Sequence, residues 1–81
     1  MINNTVFFDF NDTKSLNIKN EILEIVSNLQ ELGYDPVAQL TGYIISDDLS
    51  YITNFKNSRD IIRNIDKTKL IEVLVREFVN I

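Results

Sequence analysis

The chain has 81 residues and a formal charge of −4, with no cysteine and no histidine, and 44% of its residues are apolar. This composition excludes disulfides, a Cys/His zinc site and catalysis by a histidine base, and the acidic balance argues against a nucleic-acid or anionic-membrane surface. A single domain of this length buries only about 60% of the surface that its unfolded chain exposes. Because helix packing and self-association are the remaining routes to extra stability, we expect a homodimer.

The N-terminal sequence MINNTVFFDF lacks the basic region and the long apolar run of a signal peptide. No stretch approaches the roughly 18 consecutive apolar residues that span a membrane. We therefore expect a cytoplasmic protein with no membrane insertion.

Residues 1–12 differ in pattern from the rest of the chain. Val6, Phe8 and Phe10 alternate with Thr5, Phe7 and Asp9, which is the two-residue period of a short strand. An isolated strand is not stable, so we predict an extended or mobile N-terminal arm, followed by a helical domain over residues 13–81. Because exposed aromatic rings are seldom left unused, Phe7, Phe8 and Phe10 are candidates for contacts with the helices or with a partner.

A first helix is predicted over residues 16–32, with Thr13 or Ser15 as its N-cap. Its apolar positions keep helical spacing: Ile18, Ile22, Ile25, Val26, Leu29 and Leu32. The polar positions Glu21, Glu24, Asn28 and Glu31 are assigned to the other face. Gly33 ends the helix, because glycine adopts a left-handed backbone at least steric cost.

A second helix follows over residues 36–46, after a sharp corner. Asp35 is its predicted N-cap, and Pro36 has no N–H to lose in the first turn. The predicted buried stripe consists of Val37, Leu40, Thr41, Ile44 and Ile45. Gly42, in the interior of the helix, indicates that another backbone packs closely there.

The remaining chain predicts further short helices. Asp47 and Asp48 end the second helix and cap a turn over residues 49–53, and Asn54 caps a segment that runs to residue 65. In that segment Ile61, Ile62 and Ile65 are predicted to face inward, and Arg59, Asp60 and Arg63 largely outward.

The terminal helix is predicted over residues 67–79, with Asp66 as its N-cap. Its apolar face comprises Leu70, Ile71, Leu74, Val75 and Phe78, and Val73 broadens it. Since this band is wider than one monomer requires, it is a second reason to expect a dimer. The predicted fold is all-α, a small bundle of four to five short helices with an extended arm.

No pattern typical of an active site is present: there is no glycine-rich phosphate loop, no nucleophile with a base and no spaced acid pair. Asp47-Asp48 is interpreted as helix capping, since it lacks the spaced oxygen ligands of a metal loop. Arg59 and Arg63 share a helix face and are candidates for phosphate or partner contacts, although salt bridges are the commoner role of such a pair. We therefore expect a non-enzymatic protein without cofactors.

Two further features have a structural and a functional interpretation. Tyr34, Tyr43 and Tyr51 are interpreted as amphipathic core residues rather than as ligand-binding rings. The glycine corner resembles a helix-turn-helix, but PVAQLTGYIIS contains no Lys or Arg to meet phosphates or guanine edges. DNA binding is therefore not expected.

The corner also carries a family resemblance. Gly33, Tyr34, Pro36, Gln39, Gly42, Tyr43 and Ser46, followed by Tyr51-Ile52, resemble the most recognisable segment of the IreB/ReoM-type regulatory phosphoproteins. The run TVFFDF at Thr5 resembles the family's N-terminal arm. Arg59, Ile62-Arg63, Asp66 and the run Ile71, Glu72, Leu74, Val75, Arg76 are similar to its closing helices. The chain is a divergent member on this evidence.

The resemblance implies a small helical homodimer from a low-GC Gram-positive bacterium. It implies that a membrane-bound Ser/Thr kinase with extracellular PASTA repeats phosphorylates a threonine in the arm, which is Thr5 by position. It further implies that the protein controls peptidoglycan synthesis or antibiotic tolerance through protein–protein interaction, and that its partner is a Clp-protease adaptor system or a cell-wall enzyme.

The chain departs from the family pattern in three places. Asp47 to Ser50 replace Gly-Asp-Pro-Ala, Thr53 to Phe55 replace Pro-Arg-His, and Lys67 to Lys69 replace a segment that is commonly acidic. The loss of a basic loop leaves a second hypothesis open, a constitutive dimeric adaptor or antitoxin-like module with no phospho-switch.

Overall fold

The structure, a computed structural model, describes residues 13–80, with side chains described from residue 16 onward. Four α-helices occupy this part of the chain: α1 (Thr13–Glu31), α2 (Pro36–Ser46), α3 (Ser58–Arg63) and α4 (Lys67–Val79). Two short 3₁₀ turns, Leu49–Tyr51 and Phe55–Asn57, connect α2 to α3. The predicted all-α class is confirmed. The predicted arm, with Thr5, Phe7, Phe8 and Phe10, lies outside the described residues.

Helix α1 begins earlier than predicted and ends where expected. Thr13 and Ser15 lie within the helix, so neither is its N-cap, because a cap residue has a non-helical backbone. At the other end Gly33 has φ of +85°. The N–H of Tyr34 donates to the Leu29 carbonyl and the N–H of Gly33 to the Gln30 carbonyl, both at 2.9 Å. This pair of bonds is a Schellman motif, which satisfies carbonyls that the helix end leaves free.

The core lies along one side of α1 and draws on every other helix. Its buried apolar side chains are Ile18, Ile22, Ile25, Leu29, Leu40, Tyr43, Ile52, Ile62, Ile65, Leu70 and Val73. The inward assignment of Ile62 and Ile65 is confirmed, with Ile61 partly buried against the cluster.

Asn28 corrects the polar face predicted for α1. Its side chain is only 4% exposed and donates a hydrogen bond to Ser58 Oγ at the start of α3. The amide is tolerated inside because it is hydrogen-bonded there.

The stripe predicted for α2 is wrong in part. Leu40 and Tyr43 are buried, whereas Val37 is 73% and Ile45 80% exposed. Thr41 is exposed too. Only one flank of the apolar stripe faces other helices, and helical spacing alone does not say which flank that is.

The broad apolar band of α4 is divided in the same way. Leu70 and Val73 are buried, whereas Ile71, Val75 and Phe78 are exposed. Part of the apolar surface of α4 is therefore left outside the core of the single chain. This agrees with the prediction that the apolar band is wider than one monomer requires.

The segment predicted between Asn54 and Ile65 is interrupted. Lys56 and Asn57, the last two residues of the second 3₁₀ turn, have φ of +52° and +64°, so the α-helical backbone of α3 begins only at Ser58. Asn54 makes no side-chain capping bond there. The predicted capping by Asp35, Asp48 and Asp66 is confirmed, since each carboxylate accepts a backbone N–H of the following turn.

Candidate protein interaction surfaces

The corner between α1 and α2 is built by local backbone requirements. Asp35 Oδ1 accepts hydrogen bonds from the N–H groups of Val37 and Ala38, at 3.0 and 3.4 Å. Pro36 occupies the first position of α2. Together with the left-handed Gly33 these bonds turn the chain within four residues, so the corner is a structural element.

Tyr51 connects α2 to the first 3₁₀ turn. Gln39 Nε2 donates to the Tyr51 carbonyl at 2.7 Å. A Cβ added at Gly42 would overlap the Tyr51 ring and approach its Cγ to 2.9 Å. Gly42 therefore admits an aromatic ring, and not the backbone predicted from the sequence.

The three tyrosines differ in burial. Tyr43 is buried in the core, as predicted, whereas Tyr34 and Tyr51 are more exposed than a core residue. The expectation that all three lie in the core is wrong for these two.

The two candidate arginines have separate partners. Arg59 Nε donates to the Ile52 carbonyl at 2.7 Å and is partly buried, which corrects its outward assignment. Arg63 is exposed and pairs with Asp60 at 2.8 Å. Arg59 thus has a structural partner, and Arg63 has a surface ion pair. Contact of either arginine with a phosphate or a partner protein stays a prediction.

Among the described residues, Asp48 is the one titratable group whose pKa clearly departs from its ordinary value. The Ser50 backbone N–H, at 2.9 Å from Oδ1, lowers the pKa of Asp48, with a smaller contribution from Arg59. Asp48 is exposed. Its role is to cap the 3₁₀ turn.

Sequence reasoning missed Lys67, which closes the C-terminal end of α2. Its ammonium lies 2.6 Å from Asp47 Oδ1 and 4.5 Å from the centre of the Tyr43 ring. It also approaches the carbonyls of Tyr43 and Ile44, at 3.4 and 3.5 Å. A cation at a helix C-terminus is favourable because the carbonyls there carry partial negative charge. No local signal identifies it, since Asp47 is 20 residues away.

An apolar groove of about 220 Å³ runs between α1 and α4. It is lined by Lys19, Ile22, Leu23, Val73, Leu74 and Glu77. Lys19 and Glu77 form an ion pair at 2.9 Å at this groove. Leu23 is 64% exposed and forms part of the groove wall.

A second exposed apolar surface lies on α4. Ile71, Val75 and Phe78 are spaced by four and three residues, and so share one side of the helix. Phe78 is 89% exposed. We call these three residues the α4 stripe.

Comparison with known proteins identifies the family. A family model described as IreB regulatory phosphoprotein matches residues 3–80. A UPF0297 protein of Ruminiclostridium cellulolyticum is 37% identical over 75 residues, which cover 93% of this chain and 85% of that protein. The chain belongs to the IreB family.

Membership in the IreB family confirms the resemblance inferred from the corner. It points to a regulatory protein rather than an enzyme. Among residues 13–80 no group of three or more Asp or Glu side chains is placed to hold a metal ion. No helix in that part of the chain combines the length and apolar character needed to cross a bilayer.

Two of the segments expected from the sequence to differ from the family pattern have structural roles in this chain. Asp47 ends α2 with a left-handed backbone, at φ of 60°, and its N–H donates to the Tyr43 carbonyl. Asp47 and Lys67 form an ion pair with each other. The segment after α2 and the first turn of α4 are therefore in contact.

Proposed function

We propose that this IreB-family protein is a non-enzymatic regulator that acts by binding other proteins, and that a Ser/Thr protein kinase of the PASTA type modifies it at Thr5. The observation that carries this proposal is the family match over residues 3–80, which is to a regulatory phosphoprotein family and includes the N-terminal TVFFDF run. The described residues supply apolar surfaces suited to partners, namely the α1/α4 groove and the α4 stripe.

Phosphorylation of Thr5 would change the chemistry of the N-terminal segment strongly. A phosphate adds about −1.5 to −2 charges and three strong acceptor oxygens at neutral pH. Thr5 lies immediately before Val6 and close to Phe7 and Phe8, so the new charge would stand beside the most apolar part of this segment. Contacts made by those side chains would weaken, which is how a modification in this segment alters partner binding.

The kinase assignment is tested by incubating the full chain with a PASTA-type kinase domain and mapping phosphate by mass spectrometry. The expected result is phosphate on Thr5 and its loss in Thr5→Ala. Thr41 and Thr68, both exposed, are internal controls in the helical domain. Phosphate confined to these threonines, while an established family member is labelled normally in parallel, would overturn the Thr5 assignment.

We infer further that the regulated process is peptidoglycan synthesis, through a cell-wall enzyme or a Clp-protease adaptor system. This part of the proposal rests on the family resemblance alone. Pull-downs from the native host with Thr5→Ala and Thr5→Glu are expected to recover different amounts of such a partner. Equal recovery with both variants would support the constitutive adaptor hypothesis.

We propose that the chain assembles as a homodimer through the α4 stripe. Three apolar side chains on one helix face, beside a core supplied by only 81 residues, favour burial against a second copy. The net charge of −4 is modest, so repulsion between copies does not oppose this strongly.

A further inference from the structure

The α1/α4 groove has room for one aromatic ring. Its volume of about 220 Å³ exceeds the roughly 150 Å³ of an apolar protein cavity known to take up benzene. Four of its six lining residues are apolar: Ile22, Leu23, Val73 and Leu74. The charged lining residues, Lys19 and Glu77, neutralise each other at 2.9 Å, so the groove suits an uncharged apolar guest.

The N-terminal segment of the same chain contains an uncharged aromatic side chain, Phe8, that is close enough in sequence to reach the groove. Helix α1 starts at Thr13, and its groove residues run from Lys19 to Leu23. At about 1.5 Å per residue the middle of the groove lies roughly 12 Å along α1 from Thr13. An extended chain covers about 3.3 Å per residue, so the five residues from Thr13 back to Phe8 span about 16 Å. This length allows the chain to reverse at the start of α1 and reach the groove.

The alternation of side chains along the N-terminal segment favours Phe8 over Phe7 as the residue that enters the groove. In an extended chain Phe8 and Phe10 face one side and Phe7 the other. With Phe8 at the middle of the groove, Phe10 falls about 7 Å nearer the start of α1. At that level α1 presents Leu16, which is exposed and apolar.

We propose that the N-terminal segment folds back along α1 and inserts the Phe8 ring into the α1/α4 groove of the same chain, between Leu23 and Leu74. Phe10 packs on the same side, toward Leu16, and Phe7 points away. This inference does not depend on modification of Thr5 and stands or falls separately from the proposed function.

The test uses methyl NMR on the full, unmodified chain. An aromatic ring in the groove shifts the methyl resonances of Leu23 and Leu74 by its ring current. Phe8→Ala and Phe8→Leu are expected to move these resonances by more than their line width. Phe7→Ala, the matched control, is expected to leave them in place, and helicity measured by circular dichroism is expected to be the same in all variants.

Two results would overturn the proposal. Unchanged Leu23 and Leu74 methyls in both Phe8 variants, or equal changes in Phe7→Ala, would show that the Phe8 ring does not occupy the groove. A Phe8-dependent shift that disappears on dilution would assign the groove to the segment of a second copy instead.

Discussion

The side-chain amide of Asn28 donates a hydrogen bond of 2.9 Å to the hydroxyl of Ser58, and both side chains are buried where α1 meets α3. Ser58 Oγ in turn donates to the Phe55 carbonyl at 2.8 Å. This chain of bonds fixes the second 3₁₀ turn and the start of α3 against the middle of α1, across 30 residues of sequence. It is a polar link inside an otherwise apolar core.

Ser58→Ala is therefore expected to destabilise the fold. It leaves the Asn28 amide without this acceptor in a buried site, which costs about 1–3 kcal/mol. The free energies of unfolding of Asn28→Ala, Ser58→Ala and the double variant, measured by chemical denaturation, give the coupling energy between the two side chains. Strictly additive losses would contradict the link.

Gly42→Ala tests the packing of Tyr51 on α2. In an open helix this change stabilises by about 1 kcal/mol, because alanine has the higher helix propensity. Here the new methyl would overlap the Tyr51 ring, including its Cγ, which cannot move without the backbone or χ1 moving too. Overpacking of this kind costs about 1–3 kcal/mol, so we expect a lower melting temperature.

The control for Gly42→Ala is the same substitution in a Tyr51→Ala background. With the ring removed, alanine at position 42 is expected to raise the melting temperature relative to Tyr51→Ala. The same sign in both backgrounds would show that the ring does not restrict position 42.

The fold follows from the sequence where a residue has a backbone requirement of its own. Gly33, Asp35, Pro36 and Asp66 each satisfy a local need at a helix end, and the structure places all of them as expected. Of the two consecutive left-handed residues, Asn57 is of a type that tolerates this backbone, whereas nothing in a lysine side chain predicts it for Lys56.

Which face of a helix is buried cannot be predicted from local sequence in the same way, since it depends on what packs against the helix. Val37 and Ile45 belong to a regular apolar stripe, yet α2 turns Leu40 and Tyr43 toward the core. Polarity predicts an outward Asn28, because nothing local reveals its partner Ser58, 30 residues away in the sequence. The contact of Lys67 with Asp47, 20 residues away, is unpredictable for the same reason. The family signature is recognisable from the sequence because its residues are close together in the chain.

Lys67→Met removes the ammonium at the end of α2 and keeps most of the apolar stem. We expect a loss of about 1 kcal/mol, from the helix terminus and the Tyr43 ring contact together. Arg63→Met is the matched control, because its ion pair with Asp60 is exposed and such pairs contribute about 0–1 kcal/mol. We expect Lys67→Met to lose more stability than Arg63→Met in thermal unfolding, and this difference in stability to become smaller at high salt. Equal losses of stability in the two variants would show that the location of Lys67 at the end of α2 adds nothing beyond a surface ion pair.

The lowered pKa of Asp48 predicts one contribution to the pH dependence of the stability. Its pKa is lowered in the folded state, chiefly by the Ser50 N–H. A carboxylate with a lowered folded pKa stabilises the fold at pH values above its unfolded pKa of about 3.9, and this contribution is lost as the pH falls through the folded value. Asp48→Asn keeps a capping side chain without the charge. We expect it to melt lower than the parent at neutral pH and to match the parent in strong acid.

The Asp48 assignment is measured directly by NMR titration of the carboxyl carbon, with the denatured chain as reference. The folded midpoint should lie below the denatured one. A folded midpoint at or above that of the denatured chain would contradict the role of the Ser50 N–H.

The α4 stripe predicts how self-association responds to charge. Val75 lies at the centre of the stripe, between Ile71 and Phe78, and a carboxylate there would be desolvated in any contact between two copies. We expect Val75→Glu to weaken dimerisation about tenfold or more, a change of at least about 1.4 kcal/mol. Ile45→Glu, on the exposed side of α2, is the matched control, since it adds the same charge at an exposed apolar position outside the stripe. Sedimentation velocity over a dilution series measures the dimer affinity of both variants. Equal weakening in Val75→Glu and Ile45→Glu would indicate a general charge effect. Dimers that persist in Val75→Glu would place the contact elsewhere on the chain.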